Sequence, residues 1–358
     1  MQPFKVLSFE LFGESHSESI GITIKNLPKG IKLNYDLINN ELTKRRPNGI
    51  TSTSRIELDE YKIISGIEND ITNGEDLTVI IPNKNTKSKD YDQMKDIMRP
   101  GHADLVAYLK SNGTNDYRGG GRFSGRLTAP LVFMGAICKQ LLMERGIYIG
   151  SSINQINTIK CPGYVGKITK EEILKLNDQK FPCLDEEYVI DFEKEILNAK
   201  ENKDSVGGKV TTYVIGVPHG LGDSYFSGVE SYLSYLIYGI PAVKAVSFGF
   251  GEDFGIVSGS MVSDSMYYDT DKNIQYVYNY NGGINGGITN GEPIVINTTI
   301  KPTPTIGVTQ QTINIKTKEN VEVSFGGRHD PCIVQRAYVV IENIVAFGIL
   351  DLLLSEGK

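Results

Sequence analysis

A chain of 358 residues with 40% hydrophobic and 22% charged residues, 38 Gly and 14 Pro has the composition of a folded protein, which excludes wholesale disorder. A formal charge of −6 speaks against a non-specific nucleic-acid binder. No run of eighteen apolar residues is uninterrupted, and the most apolar stretch, 339–354, carries Glu342, Asn343 and Asp351, so no membrane span is expected.

In chain order, alternation predicts strands over 6–13, 20–26, 77–82, 208–218 and 293–301. Helical spacing appears over 36–45, where Leu37, Ile38 and Leu42 share a face, with Arg45 and Arg46 at its end and Pro47 as its stop. A short helix follows Asp104, and a strongly apolar one runs from Thr128 to Arg145 before Gly146. Further helices are expected over 169–177, 185–204, 228–239 and 332–355, the last behind Pro331, a residue suited to a first helical turn. Strands and helices alternate without a strict βα repeat, which argues for an α+β fold. No linker divides the chain, so residues 1–358 read as one domain, with the Lys/Glu/Asn-rich 160–206 region expected as a peripheral insertion. The N-terminus lacks a signal-peptide layout, and Cys138, Cys161, Cys183 and Cys332 show no CxxC spacing. Both features suit free thiols and a cytoplasmic address.

The arginines are unevenly placed. Nine of ten fall in three segments: Arg45, Arg46 and Arg55; Arg99, Arg118, Arg122 and Arg126; Arg328 and Arg336. Arginine grips carboxylate and phosphate bidentately, so an acidic protein that clusters it is building a local anion site. Three of the four histidines, His16, His102 and His329, lie in or beside these segments or a Gly-rich turn, whereas His219 reads as a loop residue. Ser15 and His16 stand together behind Gly13. Residues 117–126 set three arginines around three glycines and Ser124, just ahead of the long helix, and exposed amides there would cradle an anion. This is neither a Walker A loop nor GxGxxG. Asp330 lies between two arginines, where it could serve as a base or an orienting group. His329, Asp330 and Cys332 lack a second cluster to complete a metal site, so no metal is expected. Lys301 sits in a stiff, hydroxyl-rich loop that suits a phosphate.

Taken in order, FGESH (12–16), RRP (45–47), RPGHAD (99–104), DYRGGGR (116–122), IPAVK (240–244), GGINGGITNGEPI (282–294), IKPTP (300–304) and GRHDPC (327–332) resemble the chorismate synthase family. The resemblance implies a lyase of the shikimate pathway. Its reaction is anti-1,4-elimination of phosphate from 5-enolpyruvylshikimate 3-phosphate to give chorismate, with reduced FMN required and no net redox change. It also implies a β-α-β sandwich, with long helices between two mainly antiparallel sheets, assembled as a homotetramer. By resemblance His16 stands at the leaving phosphate, His102 faces the flavin, and Asp330 assists removal of the C6 proton, with Ser15 and Ser124 as hydrogen-bonding partners. Arg45, Arg46, Arg99, Arg126 and Arg336 are expected at substrate anions. Arg122, Phe123, Ser124, Pro241, Ala242, Gly286, Lys301, Pro302, Thr303, Pro304, Thr305 and Arg328 are expected at FMN. Reduced flavin could come from a separate reductase or from NADPH oxidation by the chain itself. Three positions depart from the family pattern: Ser17 where Gly is usual, Phe123 where a flavin-loop Ser is usual, and Thr51 where many members carry Arg. A flavin-dependent oxidoreductase and a non-catalytic phospholigand-binding protein are the competing readings.

Overall fold

The computed structural model describes residues 4–47, 49–52, 58–84, 95–163, 165–325 and 330–358. Two antiparallel sheets enclose a layer of helices. The first sheet holds β1 (Ser8–Gly13), β2 (Ser19–Lys25), β3 (Lys62–Ser65) and β4 (Leu77–Pro82) in the order β1-β2-β4-β3. The second holds β5 (Tyr148–Ile156), β6 (Ile159–Lys160), β7 (Gly208–Ile215), β8 (Val243–Phe248) and β9 (Ile294–Ile300) in the order β8-β9-β7-β5-β6.

The helices are α1 (Tyr35–Arg45), α2 (Asp104–Lys110), α3 (Thr128–Glu144), α4 (Lys170–Asp178), α5 (Val189–Glu201), α6 (Val229–Tyr238) and α7 (Val334–Ser355). Helix α3 is apolar on all faces, as a helix covered on all sides must be. It contacts β2 and β4 of one sheet, β5 of the other, and α1 and α7 beside it. Close approach of α3 and α7 depends on Gly135, where a Cβ would fall 2.3 Å from that of Asn343. The α+β sandwich expected from the resemblance is the observed architecture.

Two features differ from the sequence reading. Arg118–Glu144, which joins a glycine turn to α3, and Val334–Ser355 are long and apolar enough to cross a membrane by length and composition, although neither is an uninterrupted apolar run. In their most apolar windows 78% and 89% of residues are buried inside the fold, and the charges that break α7 are themselves buried there. The 160–206 region is built into the molecule. Cys161, Cys183, Phe192 and Ile196 join the principal cluster of buried side chains, which takes residues from Leu7 to Leu353, and α4 packs on β5. Pro331 precedes α7 by three positions and its carbonyl accepts from the Val206 amide at 2.8 Å. All four cysteines are free and buried.

Candidate active site

The glycine turn of residues 119–121 fixes the centre of the site. All three glycines have positive φ (57°, 85° and 52°), a conformation that side chains disfavour. A Cβ on Gly119 would lie 2.5 Å from Cε1 of His16 and 2.6 Å from Oγ of Ser15, and one on Gly120 would lie 3.1 Å from Cε1 of His102. The two histidines, 86 positions apart in sequence, therefore pack on neighbouring residues of one turn. The Ser15 amide donates to the Gly121 carbonyl at 3.1 Å and secures the FGESH turn to it. Ser17, the departure from Gly, closes that turn further: its hydroxyl donates to the carbonyls of Glu14 or Ser19 and accepts from the Glu14 amide.

A cavity of about 690 Å³ opens beside this turn, within the size range of small-molecule sites. Its lining includes Ser15, His102, Phe123, Ser124, Pro241, Ala242, Thr303 and Pro304. Seven cationic side chains also line it (Arg45, Arg46, Arg122, Arg126, Lys244, Lys301 and Arg336) against one acid, Asp59, among the described residues. Arginines from the ends of the chain and from its middle thus converge on one hollow, which carries charge opposite to that of the whole protein. Arg45 comes from the last turn of α1 and Arg336 from the first turn of α7, and they are linked by the Arg336 Nε donating to the Arg45 carbonyl at 2.9 Å. Arg126 follows Ser124, whose hydroxyl accepts from the Arg126 amide at 3.3 Å.

Two loops close one side. Lys301 Nζ donates to the Gly101 carbonyl at 2.5 Å, its amide donates to the Ala242 carbonyl at 3.0 Å, and Arg99 donates to Thr305 Oγ1 at 3.3 Å. Arg99 is otherwise committed to Asp104, with Nε to Oδ2 at 2.6 Å and Nη2 to Oδ1 at 2.8 Å. Burial acts to raise the Asp104 pKa. Hydrogen bonds from Arg99 and His102 outweigh it and hold the carboxyl well below the usual carboxylate range. Asp330 forms an ion pair with Arg336, and the Thr303 hydroxyl donates to the Asp330 carbonyl at 2.8 Å.

His16, Arg99, Asp330, Pro302, Thr305 and Gly286 are not among the residues lining the cavity. The first five lie in the turns and loops that frame it. Gly286 sits in the tight hairpin between Ile284–Asn285 and Ile288–Thr289, with no atom within 4 Å of a Cβ built there. Arg328, Arg55 and His329 lie outside the described residues. Thr51 ties its loop to α7, its hydroxyl donating to Gln335 Oε1 at 2.9 Å. Phe123 is exposed at the cavity. Asp59 escaped the sequence reading because it lies in the acid-rich run Glu57–Glu60, where nothing marks one carboxylate from its neighbours.

The sequence matches the chorismate synthase family over residues 7–354. It is 42% identical to a chorismate synthase of Methanocaldococcus jannaschii, across 97% of this chain and 94% of the relative. It is 41% identical to that of Pyrococcus abyssi, across 98% of this chain and 96% of the relative. A crystal structure of chorismate synthase superposes with a TM-score of 0.76 at 27% identity, covering 99% of this chain and 93% of the other.

Proposed function

The chain belongs to the chorismate synthase family, and on that premise we propose that it converts 5-enolpyruvylshikimate 3-phosphate to chorismate by anti-1,4-elimination of phosphate. The observation that carries this reading is the convergence of Arg45, Arg126 and Arg336 on one cavity beside a glycine turn that touches both His16 and His102. A substrate with two carboxylates and a phosphate, joined by a second phosphate from FMN, needs such a concentration of guanidinium groups.

The residues present suit FMN. The cavity is large enough to take a ring system, and Lys301 and Arg122 offer donors to a phosphate. Ala242 on its wall is held at φ 73°, a strained conformation for a residue with a side chain and of the kind found at binding sites. Residues 122–124, Pro241, Ala242 and 301–305 would hold the cofactor. When bound, reduced FMN supplies electron density to the substrate ring without net redox change.

In this reading His16 stabilises or protonates the oxygen of the departing phosphate as the C3–O bond breaks. His102 presents Nε2 to the cofactor side of the cavity, with Nδ1 engaged by Asp104. Asp330 assists removal of the C6 proton, its position set by Arg336 and by the loop of Thr303. Arg45, Arg126 and Arg336 bind and orient the substrate anions, and Ser15 and Ser124 add hydrogen bonds. As part of the same proposal the enzyme is a cytoplasmic homotetramer serving the last common step of aromatic biosynthesis.

Anaerobic mixing of the protein with the substrate and photoreduced FMN is expected to give the absorbance of chorismate and one phosphate per product. Folded protein that gives no chorismate overturns the reading. Steady NAD(P)H consumption without phosphate release would instead make it an oxidoreductase.

A further inference from the structure

We infer that Asp59 is a specificity-determining positioning residue: it gathers Arg45 and Arg126 into one fixed anion-binding face and offsets part of their charge. The inference rests on the proposed reaction for the identity of the ligand. Asp59 is the sole acid among seven cations on the cavity lining, among the described residues. Its side chain is 1% exposed, and those of Arg45 and Arg126 are 6% and 8% exposed, so the three charges meet away from water. Arg45 Nη2 lies 3.3 Å from Oδ1 and 3.2 Å from Oδ2, and Arg126 Nη1 pairs with Oδ1.

The backbone points to the same role. Asp59 adopts φ 50°, a left-handed conformation that costs a residue with a Cβ and that persists where the surroundings enforce it. The preceding carbonyl, that of Leu58, accepts from Arg46 Nη2, so two adjacent residues engage three arginines of the cavity. Arg126 is held on its other side by Asn83 Oδ1, 3.2 Å from Nε. Arg45 and Arg126 come from the end of α1 and from the turn before α3, and the Asp59 carboxylate between them offsets the repulsion of two like charges brought side by side.

A carboxylate in this place has two opposed effects on ligands. Its negative charge weakens the attraction of the site for every anion. Its fixing of two guanidinium forks strengthens binding only for a ligand whose anionic groups match their spacing. Together these favour the matched ligand over small generic anions, which is discrimination by a built-in repulsive element.

Asp59→Asn separates the two effects, because Asn tolerates a positive φ and keeps the shape while losing the charge. Calorimetric titration with oxidised FMN present, so that no turnover occurs, compares 5-enolpyruvylshikimate 3-phosphate with inorganic phosphate. The variant is expected to bind the substrate at least ~10-fold more weakly and inorganic phosphate as tightly as wild type or several-fold more tightly. Affinities that move together, in either direction, or that do not move, overturn the inference. Asp59→Glu supplies a second test: the charge stays and the carboxylate shifts, so substrate binding is expected to weaken while phosphate binding holds within about twofold. Unchanged substrate affinity in Asp59→Glu overturns the inference even where Asp59→Asn does not fold. Wild-type protein that binds neither probe overturns the assigned reaction, whereas wild type that binds both with an unchanged ratio in Asp59→Asn overturns only the role of Asp59.

Discussion

Nδ1 of His102 lies 2.6 Å from Oδ1 of Asp104. Asp104 is held ionised by Arg99, and an ionised carboxylate only accepts hydrogen bonds, so Nδ1 carries the proton of this contact. Nε2 is then the free position of the ring, and it is the atom that a Cβ on Gly120 would approach to 3.2 Å. The short RPGHAD loop thus contains its own orienting pair, an arginine to hold the acid and an acid to hold the imidazole.

Asp104→Asn removes the ionised acceptor and allows the ring to choose the other tautomer. Loss of a carboxylate that orients a metal-bound histidine costs about 10- to 100-fold in activity, and the same orienting task is performed here on the ring of His102. We expect kcat to fall by about that factor with KM changed less than about threefold. Steady-state kinetics under anaerobic conditions measures both, and a kcat within twofold of wild type would show that Asp104 leaves the ring indifferent.

Much of this was legible in the chain, for reasons that differ by element. Helices α3 and α7 announce themselves through apolar content and α1 through the spacing of Leu37, Ile38 and Leu42 and its stop at Pro47, and the five strands read from alternation fall within two residues of their observed ends, except that the one read over 208–218 stops at Ile215. Strand β5 did not, because it buries hydroxyls: Ser151 and Thr212 hydrogen-bond across β5 and β7 at 2.8 Å, and two buried serines erase the period-two signal. The clustering of arginines foretold their convergence on one cavity, since guanidinium groups are costly to assemble without a task. Asp59 and Asp104 do their work through pairings across the fold or a loop turn, and a linear string carries no sign of which carboxylate is buried between two cations.

The glycine turn gives a second test. Ala at position 119 would take a positive φ of 57° and place its methyl carbon 2.5 Å from the His16 ring and 2.6 Å from the Ser15 hydroxyl. Backbone strain of about 1–2 kcal/mol is tolerable to a domain of this size, but the proposed role of His16 does not tolerate a displaced imidazole. Gly119→Ala is expected to remain folded and to lose about 100-fold in turnover, the scale of a 1 Å misplacement. Gly255→Ala, where a methyl meets open space, is the control. Equal rates in Gly119→Ala and wild type would remove His16 from the chemistry.

Beneath the site lies a buried ionic cluster that joins α1, α3 and α7. Lys139 Nζ donates to Glu41 Oε2 at 2.7 Å and to Glu342 Oε2 at 2.5 Å, and Asn343 donates to Glu41 Oε2 at 2.8 Å. Glu41 is one turn before Arg45, and Glu342 is six residues after Arg336, so the cluster sets the relative position of two cavity arginines. Burial would raise the Glu41 pKa, but the charges of Lys139 and Lys44 outweigh it and bring it down from 4.5 to about 2. A lowered carboxyl pKa contributes stability that is fully present above the unfolded value of 4.5 and is lost as pH falls toward about 2. Urea unfolding across that window should show a steep loss of stability, shallower in Glu41→Gln. Lys139→Met, which removes the cation shared by two buried carboxylates and leaves Glu41 only that of Lys44, should cost about 3–5 kcal/mol near neutral pH. A loss under about 1 kcal/mol would mean that water reaches the cluster and relieves it.

Asp330 tests the proton-removing side of the reaction. Its side chain is 8% exposed and paired with Arg336, whose Nε also donates to the Arg45 carbonyl, so the acid, the arginine and the end of α1 form one rigid set. Asn at 330 keeps the volume and one acceptor oxygen but cannot carry a proton away. If Asp330 acts in the chemical step, the Asn variant loses turnover by about 10²- to 10⁴-fold, the usual contribution of a positioned acid or base. Substrate affinity should stay within about threefold, because Arg45, Arg126 and Arg336, the arginines proposed to bind the anions, are retained. If Asp330 serves only to orient Arg336, the loss appears in KM instead, with kcat little changed. Rapid-mixing measurement of a single turnover with reduced FMN separates the two, since it reads the elimination itself before product release, and an unaltered single-turnover rate would leave Asp330 as a structural partner of Arg336 alone.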